Sequence, residues 1–384
     1  MSFNEWEKQK IGKFVLINMG QSPESKYYNN KRIGTPFLQG NRTFGYKYPS
    51  YDTFCSSGNK FADPNDILIS VRAPVGELNI ARERTCIGRG LASLKMKNGN
   101  YEYLYYLLKV NIQELINRES GTVFGSINRD DIYNLELIVT KSDDTQRRIA
   151  DFLSALDDKI ELNRQTNATL EAIAQTIFKE WFINFNYPSA TGEMVESETG
   201  LIPKGWKVGK LEEIITNFDR KRVPLSSRDR ENRKGIFPYY GAASILDYMD
   251  DYLFDGVFLL MGEDGTVITE DEKPILQYVS GKFWVNNHTH VLQGKGIFST
   301  EYVMLVLKNT NIKHIVTGAV QPKINQGNMN NLLIVIPDKL TLKSFQGIIK
   351  PFFANILEIE HETSTLTAVR DNLLPKLMNG EIQV

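Results

Sequence analysis

The 384-residue chain repeats itself once. Shifted by 200 positions, Trp6 falls on Trp206, Gln146, Ile149 and Phe152 fall on Gln346, Ile349 and Phe352, and Ala168 falls on Ala368. With a slightly smaller offset, Gly121–Asn128 falls on Gly318–Asn325 and Leu135–Val139 on Leu332–Ile336. Pro36-Phe-Leu falls near Pro238-Tyr-Tyr, and Asp66–Ser70 resembles Asp255–Leu260. The period is too long for a solenoid, and each half is long enough to hold its own core. Similar edges around a divergent middle suggest one scaffold carrying two different recognition surfaces. An old duplication kept only for stability reads from the same residues.

Each half changes its pattern once. The first part holds short β-prone runs such as Asp66–Val71, Leu91–Met96 and Tyr252–Leu260, with helical stretches such as Tyr101–Asn117 between them. That predicts a mixed α/β domain. The period then becomes helical. Ile149, Leu153, Leu156, Ile160, Asn163, Asn167, Leu170, Ala174, Ile177 and Trp181 follow one another at steps of 4 and 3, a heptad seam. No Pro or Gly interrupts Gln146–Tyr187, and Thr145 is a candidate cap. Asn at two seam positions costs stability but fixes register. A second stripe follows from about Thr341, with Phe352, Ile356, Ile359, Leu366, Leu373 and Leu377, interrupted by Thr363 and Arg370. Pro351 is tolerable only near a first turn, and Pro375 should bend or end the helix. Pairing the two helices antiparallel buries both stripes, although each could instead pack on its own domain.

The expected fold is therefore α+β. Two mixed α/β domains lie in tandem as a pseudo-two-fold repeat, separated by two long helices that pair as an antiparallel coiled coil. The boundaries are a first domain at 1–142, a central long helix at 143–185, a linker at 186–205, a second domain at 206–340 and a C-terminal long helix at 341–384. No apolar run of about 18 residues suggests a membrane span. The polar Met1–Lys10 lacks the core of a signal peptide. Cys55 and Cys86 do not make a disulfide framework, which points to a reduced, cytoplasmic setting.

No phosphate-binding glycine loop, zinc-protease or Cys-x-x-Cys pattern, nucleophile elbow or Asn-Pro-Pro-aromatic tetrad occurs. No catalytic residue and no metal site is expected. His288-Thr-His290 would face one side of a strand as two metal ligands, but lacks an obvious third. Asp250-Asp251 and Glu270-Asp271-Glu272 read as solvated loops more readily than as a nuclease site.

Charge points elsewhere. Residues 1–141 carry 19 Lys+Arg against 14 Asp+Glu, whereas 142–200 carry 5 against 11. Lys31-Arg32 and Gln39-Gly-Asn-Arg42 in the first half, and Arg220-Lys-Arg222 with Arg228, Arg230, Arg233 and Lys234 in the second, form basic clusters. Cations neutralise phosphates, and Arg, Gln and Asn read base edges. The candidate DNA-contacting residues are Arg32, Gln39, Asn41, Arg42, Arg72, Arg89, Ser126, Asn128, Lys221, Arg222, Arg228, Arg233, Tyr240, His288, His290, Gln321, Lys323 and Asn325. For any one of them a solvated loop reads equally well. The candidates for the coiled coil are Ile149, Leu153, Leu156, Ile160, Asn163, Asn167, Leu170, Ile177, Trp181, Phe352, Ile356, Ile359, Leu373 and Leu377.

Four segments carry a resemblance. They are Gly200-Leu-Ile-Pro-Lys-Gly-Trp206, Gln146-Arg-Arg-Ile-Ala-Asp-Phe-Leu153 with Leu156-Asp-Asp-Lys-Ile160, Ala174-Gln-Thr-Ile-Phe-Lys-Glu-Trp-Phe182, and Arg370-Asp-Asn-Leu-Leu-Pro-Lys-Leu-Met-Asn-Gly-Glu381. In this order they resemble the specificity subunits of type I restriction-modification enzymes. The resemblance implies two target recognition domains, each reading half of a split double-stranded DNA site, with the helices setting the spacing and docking methyltransferase subunits. It also implies that the chain has no catalysis of its own. S-adenosylmethionine would belong to the modification subunit, and ATP and Mg to restriction/translocase subunits. Asn4-Glu-Trp6 lacks the Pro-x-Gly-Trp form of the second half. The other readings are a free-standing nuclease, which predicts metal-dependent turnover by the chain alone, and a coiled-coil adaptor, which predicts no salt-dependent DNA affinity.

Overall fold

The computed structural model describes residues 5–118, 125–318 and 320–384. Gly121–Phe124 of the repeated motif lie outside the described residues. The described α-helices are α1 (Tyr101–Ile116), α2 (Arg129–Tyr133), α3 (Asp143–Phe182), α4 (Ser227–Asn232), α5 (Thr300–Asn309), α6 (Gln326–Asn330) and α7 (Lys339–Met378). The chain divides into unit 1, Met1–Gln165 with Glu360–Val384, and unit 2, Thr166–Ile359. Each long helix thus begins in one unit and ends in the other.

In unit 1 an antiparallel sheet runs in the order Val15–Met19, Leu91–Met96, Ile67–Ser70, Leu78–Ile80. The central strand Leu91–Met96 is buried at every residue but Lys95, as its apolar run predicts. Helix α1 is buried continuously from Tyr103 to Leu108, as a helix hydrophobic on most sides must be. It shares a core with Ile67, Ile69, Leu94, Ile149 and Leu153. A second sheet has Thr35–Leu38 and Thr85–Ile87 as a parallel pair in its middle. Trp6–Lys10 pairs with Glu136–Thr140, which ties the start of the unit to its end.

Unit 2 repeats this plan. Its antiparallel sheet runs Ile215–Asn217, Thr289–Gly294, Phe258–Gly262, Leu276–Val279, and its second sheet again has a parallel pair, Lys234–Tyr240 with Lys282–Val285. Equivalent hydrogen bonds fix the correspondence residue by residue. Gly88 N–H donates to the Leu38 carbonyl at 2.8 Å, as Asn286 does to Tyr240 at 3.0 Å. Val71 donates to Gly90 at 2.9 Å, as Glu263 does to His288 at 2.8 Å. Ile127 donates to Val71 at 3.0 Å, as Ile324 does to Glu263 at 2.8 Å. The repeat read from sequence is thus real, with one slip. Ser70 pairs with Leu91 and Gly262 with Thr289, so Asp66–Ser70 corresponds to Phe258–Gly262 and not to the segment beginning at Asp255. The run Tyr252–Leu260 is likewise two strands, broken at Gly256, whose φ of 127° suits glycine.

The seam of α3 meets α7 within each unit. In unit 1 Ile149 and Leu153 lie in the same core as Leu374 and Leu377, and Asn163 Nδ2 donates to Glu362 at 2.8 Å and Thr363 Oγ1 at 3.2 Å. In unit 2 Asn167 Nδ2 donates to the Ile356 carbonyl at 3.2 Å, and Phe182 packs edge-on to Phe345 with centroids 4.7 Å apart. Within each unit the two helices are antiparallel. Thr363 and Arg370, which break the apolar stripe in sequence, lie on it as polar partners.

Several boundaries differ from the sequence reading. Helix α3 ends at Phe182, because Phe185 turns into the left-handed region at φ 59° and Asn184 and Asn186 donate back to Lys179 and Glu180. Ser142, not Thr145, caps its start and accepts the Thr145 N–H at 3.2 Å. Helix α7 begins at Lys339 behind the cap Asp338, and it runs through Pro351 and three residues past Pro375. Ile356, Leu374 and Leu377, all buried, hold it across the missing N–H bonds. The segment 186–205 is not a plain linker. It contains the hairpin Met194–Ser197 with Gly200–Pro203, and Tyr187 stacks on Trp206 at 5.1 Å.

Candidate nucleic-acid interface

The loops at one end of the main sheet of each unit converge on a single edge. In unit 1, Gly20 donates to Leu91, Gln21 to Ile87, Gly88 to Leu38 and Gly90 to Gln39, and Arg72 forms a β-bridge with Ser126. This brings Gln39, Arg72, Arg89 and Ser126 onto adjacent backbone segments, with Gln39, Arg72 and Arg89 exposed. Gln39 is held. Ser22 Oγ donates to its Oε1 at 2.9 Å and accepts the Arg89 N–H at 3.1 Å. A Cβ at Gly88 would stand 2.7 Å from Gln39 Oε1 and 2.9 Å from its Cα, so glycine is required where the two loops touch. The Gln39 amide is therefore oriented before any ligand arrives.

Unit 2 has the same edge with different residues. The bridge becomes Asp264 with Lys323, and the loop 88–90 becomes 286–288. Lys221, Asn287, His288, Gln321 and Lys323 are exposed there. Beneath them lies a cluster that composition alone does not announce. His290, fully buried, places Nδ1 2.6 Å from the Asp219 carboxylate and donates from Nε2 to the Ile324 carbonyl at 2.8 Å. Arg222 donates to Glu263 at 2.6 Å and to the Thr289 carbonyl at 2.7 Å. Burial pushes the Asp219 carboxyl up, but the hydrogen bond and charge of His290, with Asn217 and the Val291 N–H, outweigh it and hold it below the usual carboxylate range.

Other candidates are spent elsewhere. His290 and Arg222 do not stand free on this edge, because both are engaged inside the protein, His290 fully buried and the Arg222 side chain 14% exposed. His288 and His290 do not form the ligand pair considered from sequence. His290 instead approaches Asp219 and Glu263, whose ligand atoms with its own lie within 4.8 Å of one another. Arg222 already supplies the cation there. Asn128 caps α2 and Asn325 caps α6, each accepting helix N–H groups. Tyr240 packs edge-on to Phe283 at 5.7 Å. Arg42 pairs with Asp52 at 2.7 Å beside the half-buried Asn41, and Arg233 pairs with Asp250 at 2.8 Å and lies over Trp284. Arg32 is exposed in a left-handed turn at φ 58°, and Arg228 is exposed on α4, both on segments other than the converging edge. Glu272 pairs with Lys313 at 2.5 Å, a surface ion pair.

The apolar seam residues also do not offer a docking surface. Ile149, Leu153, Ile160, Asn163, Trp181, Ile356 and Leu377 are buried within their own units, and Leu156, Asn167, Leu170, Ile177, Phe352, Ile359 and Leu373 are half-buried.

Sequence reasoning missed a buried ionic group in unit 1. Arg370 Nη1 donates to Asp157 at 2.6 Å and also contacts the Tyr46 hydroxyl. Tyr46 and Tyr106 donate to the same carboxylate at 2.6 and 2.8 Å. Arg370 stands at a stripe position of α7, but Asp157 follows the seam residue Leu156 by one, so the spacing did not mark the pair. The adjacent Asp158 pairs with the fully buried Lys47 at 3.0 Å. Together these groups attach the 46–47 loop of unit 1 to α3 and α7.

The sequence profile described as "Type I restriction modification DNA specificity domain" matches residues 4–172 and 203–367. The MjaIX specificity subunit of Methanocaldococcus jannaschii is 27% identical over 414 residues, covering 99% of this chain and 94% of that one. The HindI specificity subunit of Haemophilus influenzae is 23% identical over 366 residues, covering 73% and 77%. The crystal structure of an S subunit from M. genitalium superposes with a TM-score of 0.60 at 18% identity, covering 98% and 97%, and shows the same fold. Matched in both halves, in order and over nearly its whole length, the chain belongs to the family of type I restriction-modification specificity subunits.

Proposed function

We infer that this chain is the DNA-reading subunit of a type I restriction-modification complex, with one half of a split target read by each unit. The observation that carries the reading is the repeated edge. One backbone frame, matched at three hydrogen bonds around the converging loops, presents Gln39, Arg72 and Arg89 in unit 1 and Asn287, His288 and Lys323 in unit 2. Amide and guanidinium groups on a rigid frame read base edges, and the lysines and arginines around them hold phosphates. Two unlike sets on two like frames suit two unlike half-sites.

The continuous helices α3 and α7, each 40 residues, suit a spacer role, being about 60 Å long at roughly 1.5 Å per residue. Their outer faces are the surface left for methyltransferase subunits. In this reading S-adenosylmethionine is held by the modification partner, ATP and Mg by a restriction/translocase partner, and catalysis belongs to those partners. DNA as ligand places the chain in the cytoplasm. Among the described residues no helix is long and apolar enough to cross a membrane.

The test is a methylation map of DNA from cells making the chain with its modification partner, against cells lacking the chain. A new split motif, two short defined halves around a fixed unread gap, is the expected outcome. No new methylation from a soluble, co-purifying pair overturns the reading.

A further inference from the structure

The buried cluster of unit 2 has a counterpart in unit 1 made of different chemistry. Strand register matches His290 to Ala92 and Glu263 to Val71, and continuing the Ile17–Asn217 match two residues pairs Asp219 with Met19. Unit 1 therefore folds the same frame with Ala92 and Val71 buried and Met19 half-buried at these three places. The frame does not need the ionic group in order to form. Its reason must lie in what it touches.

What it touches is the reading edge. Arg222 donates from Nε to the Asp219 carbonyl at 3.0 Å, and from Nη1 to the carbonyls of Asn287 at 3.3 Å and Thr289 at 2.7 Å. His290 grips the Ile324 carbonyl, one residue beyond Lys323. Asp219 accepts the Val291 N–H at 2.8 Å. Four segments that carry Lys221, Asp264, Asn287, His288 and Lys323 are thereby joined by directional bonds through one charged lattice. Apolar contacts would hold these loops together but would not fix their angles, because dispersion is non-directional while charge-assisted hydrogen bonds are aimed.

The position three residues after Asp219 and after Met19 performs one task in both units. Ser22 Oγ accepts the Arg89 N–H, and Arg222 donates to the carbonyl of Asn287, the residue equivalent to Arg89. We propose that position 222 with Asp219, Glu263 and His290 is a positioning latch that sets the specificity of the unit 2 half-site, and that Ser22 is the corresponding latch of unit 1. This rests on the DNA-reading function proposed above. Arg222, Asp219, Glu263 and His290 act through the exposed Asn287, His288 and Lys323 and do not themselves meet DNA.

The test removes the latch, with Asp219→Met, Glu263→Val and His290→Ala taking the unit 1 residues and Arg222→Ala leaving no side chain that can reach the Asn287 segment, all four together in the full chain expressed with its modification partner. The removed charges leave as a set, so no buried ion is orphaned. Thermal unfolding and the methylated fraction at each variant of the wild-type motif are read in parallel. The expected result is an unfolding midpoint within a few degrees of wild type and one half-site read tenfold less selectively, with the other half unchanged. Arg222→Lys is the second variant. It keeps the charge but not the guanidinium that reaches the Asp219 carbonyl through Nε while Nη1 meets Glu263, Asn287 and Thr289, so the same half-site loses selectivity to a smaller degree. Ser22→Ala should loosen the opposite half. Wild-type selectivity at both halves in the folded Arg222→Lys and quadruple variants overturns the latch while leaving the DNA-reading function standing. Absence of any motif from the wild-type chain overturns the function itself.

Discussion

Replacing Arg370 by leucine takes the cation from a carboxylate that water cannot reach. The Asp157 side chain is 1% exposed and that of Arg370 is 7% exposed. Breaking one side of a buried pair costs about 3–5 kcal/mol, because the remaining charge is left uncompensated. Here two tyrosine hydroxyls stay on Asp157, and Lys109 remains 3.9 Å away, so the lower end, about 3 kcal/mol, applies. For a unit of this size about 1 kcal/mol moves a thermal midpoint by roughly 2–4 °C, so the transition of unit 1 should fall by about 6–12 °C. Asp157→Leu with Arg370→Leu removes both charges and should recover most of the loss. The pH dependence has a definite sign. Burial raises the Asp157 carboxyl, but Lys109, Tyr46 and Arg370 together outweigh it and hold it below its ordinary value. A carboxylate so depressed contributes stability that is full above its unfolded value near 3.9 and is lost as pH falls through the folded value. Asp157→Asn should flatten that acid limb. Calorimetry of wild type and the three variants at pH 7, and of wild type and Asp157→Asn down to pH 3, checks the set. An Arg370→Leu cost below about 1 kcal/mol, or a double variant no better than the single, refutes the argument that this is a coupled buried pair.

Other outcomes follow from the same geometry. Arg72→Gln and Arg89→Gln should each cost about 1–3 kcal/mol of discrimination at one base pair of the half-site read by unit 1, measured on duplexes carrying the mapped motif and its single-base variants. Gly88→Ala should drive Gln39 from its place and relax the half-site read by unit 1, visible in the methylation map, because the added carbon meets backbone as well as side chain. Deleting one heptad from both α3 and α7 shortens each helix by about 10 Å and should shorten the unread gap by about three base pairs. An unchanged gap with full methylation contradicts the spacer role.

Much of this architecture was legible in the chain. The 4-3 seam of α3 gave the helix and its inward face because helical periodicity is a local property, visible in any one stretch. The repeat gave two copies of one plan, and the register at Leu38 and Tyr240 agrees with the match of Pro36 to Pro238. Ends were less legible. Phe185 stops α3 by a backbone conformation that no glycine advertises, and Pro375 fails to stop α7 because packing at Leu374 and Leu377 outweighs one lost N–H bond.

The reading edge was only half visible. Gln39, Arg72, Arg89, His288, Gln321 and Lys323 are of types that suit nucleic acid, and they are exposed where the loops converge. The same logic chose Arg222 and His290, which turn inward, and Asn128 and Asn325, which cap helices. A cation's type is written in the sequence, but its partner is not. Asp219, Glu263 and His290 are 71 positions apart at their extremes and are joined only when three strands and a turn align. Sequence by itself determined the duplication, the helical seams and the residue types on offer, because these depend on order and spacing along the chain. Tertiary structure decided which charges are neutralised inside and which are left to face a ligand, because that depends on separations across strands that order alone does not set.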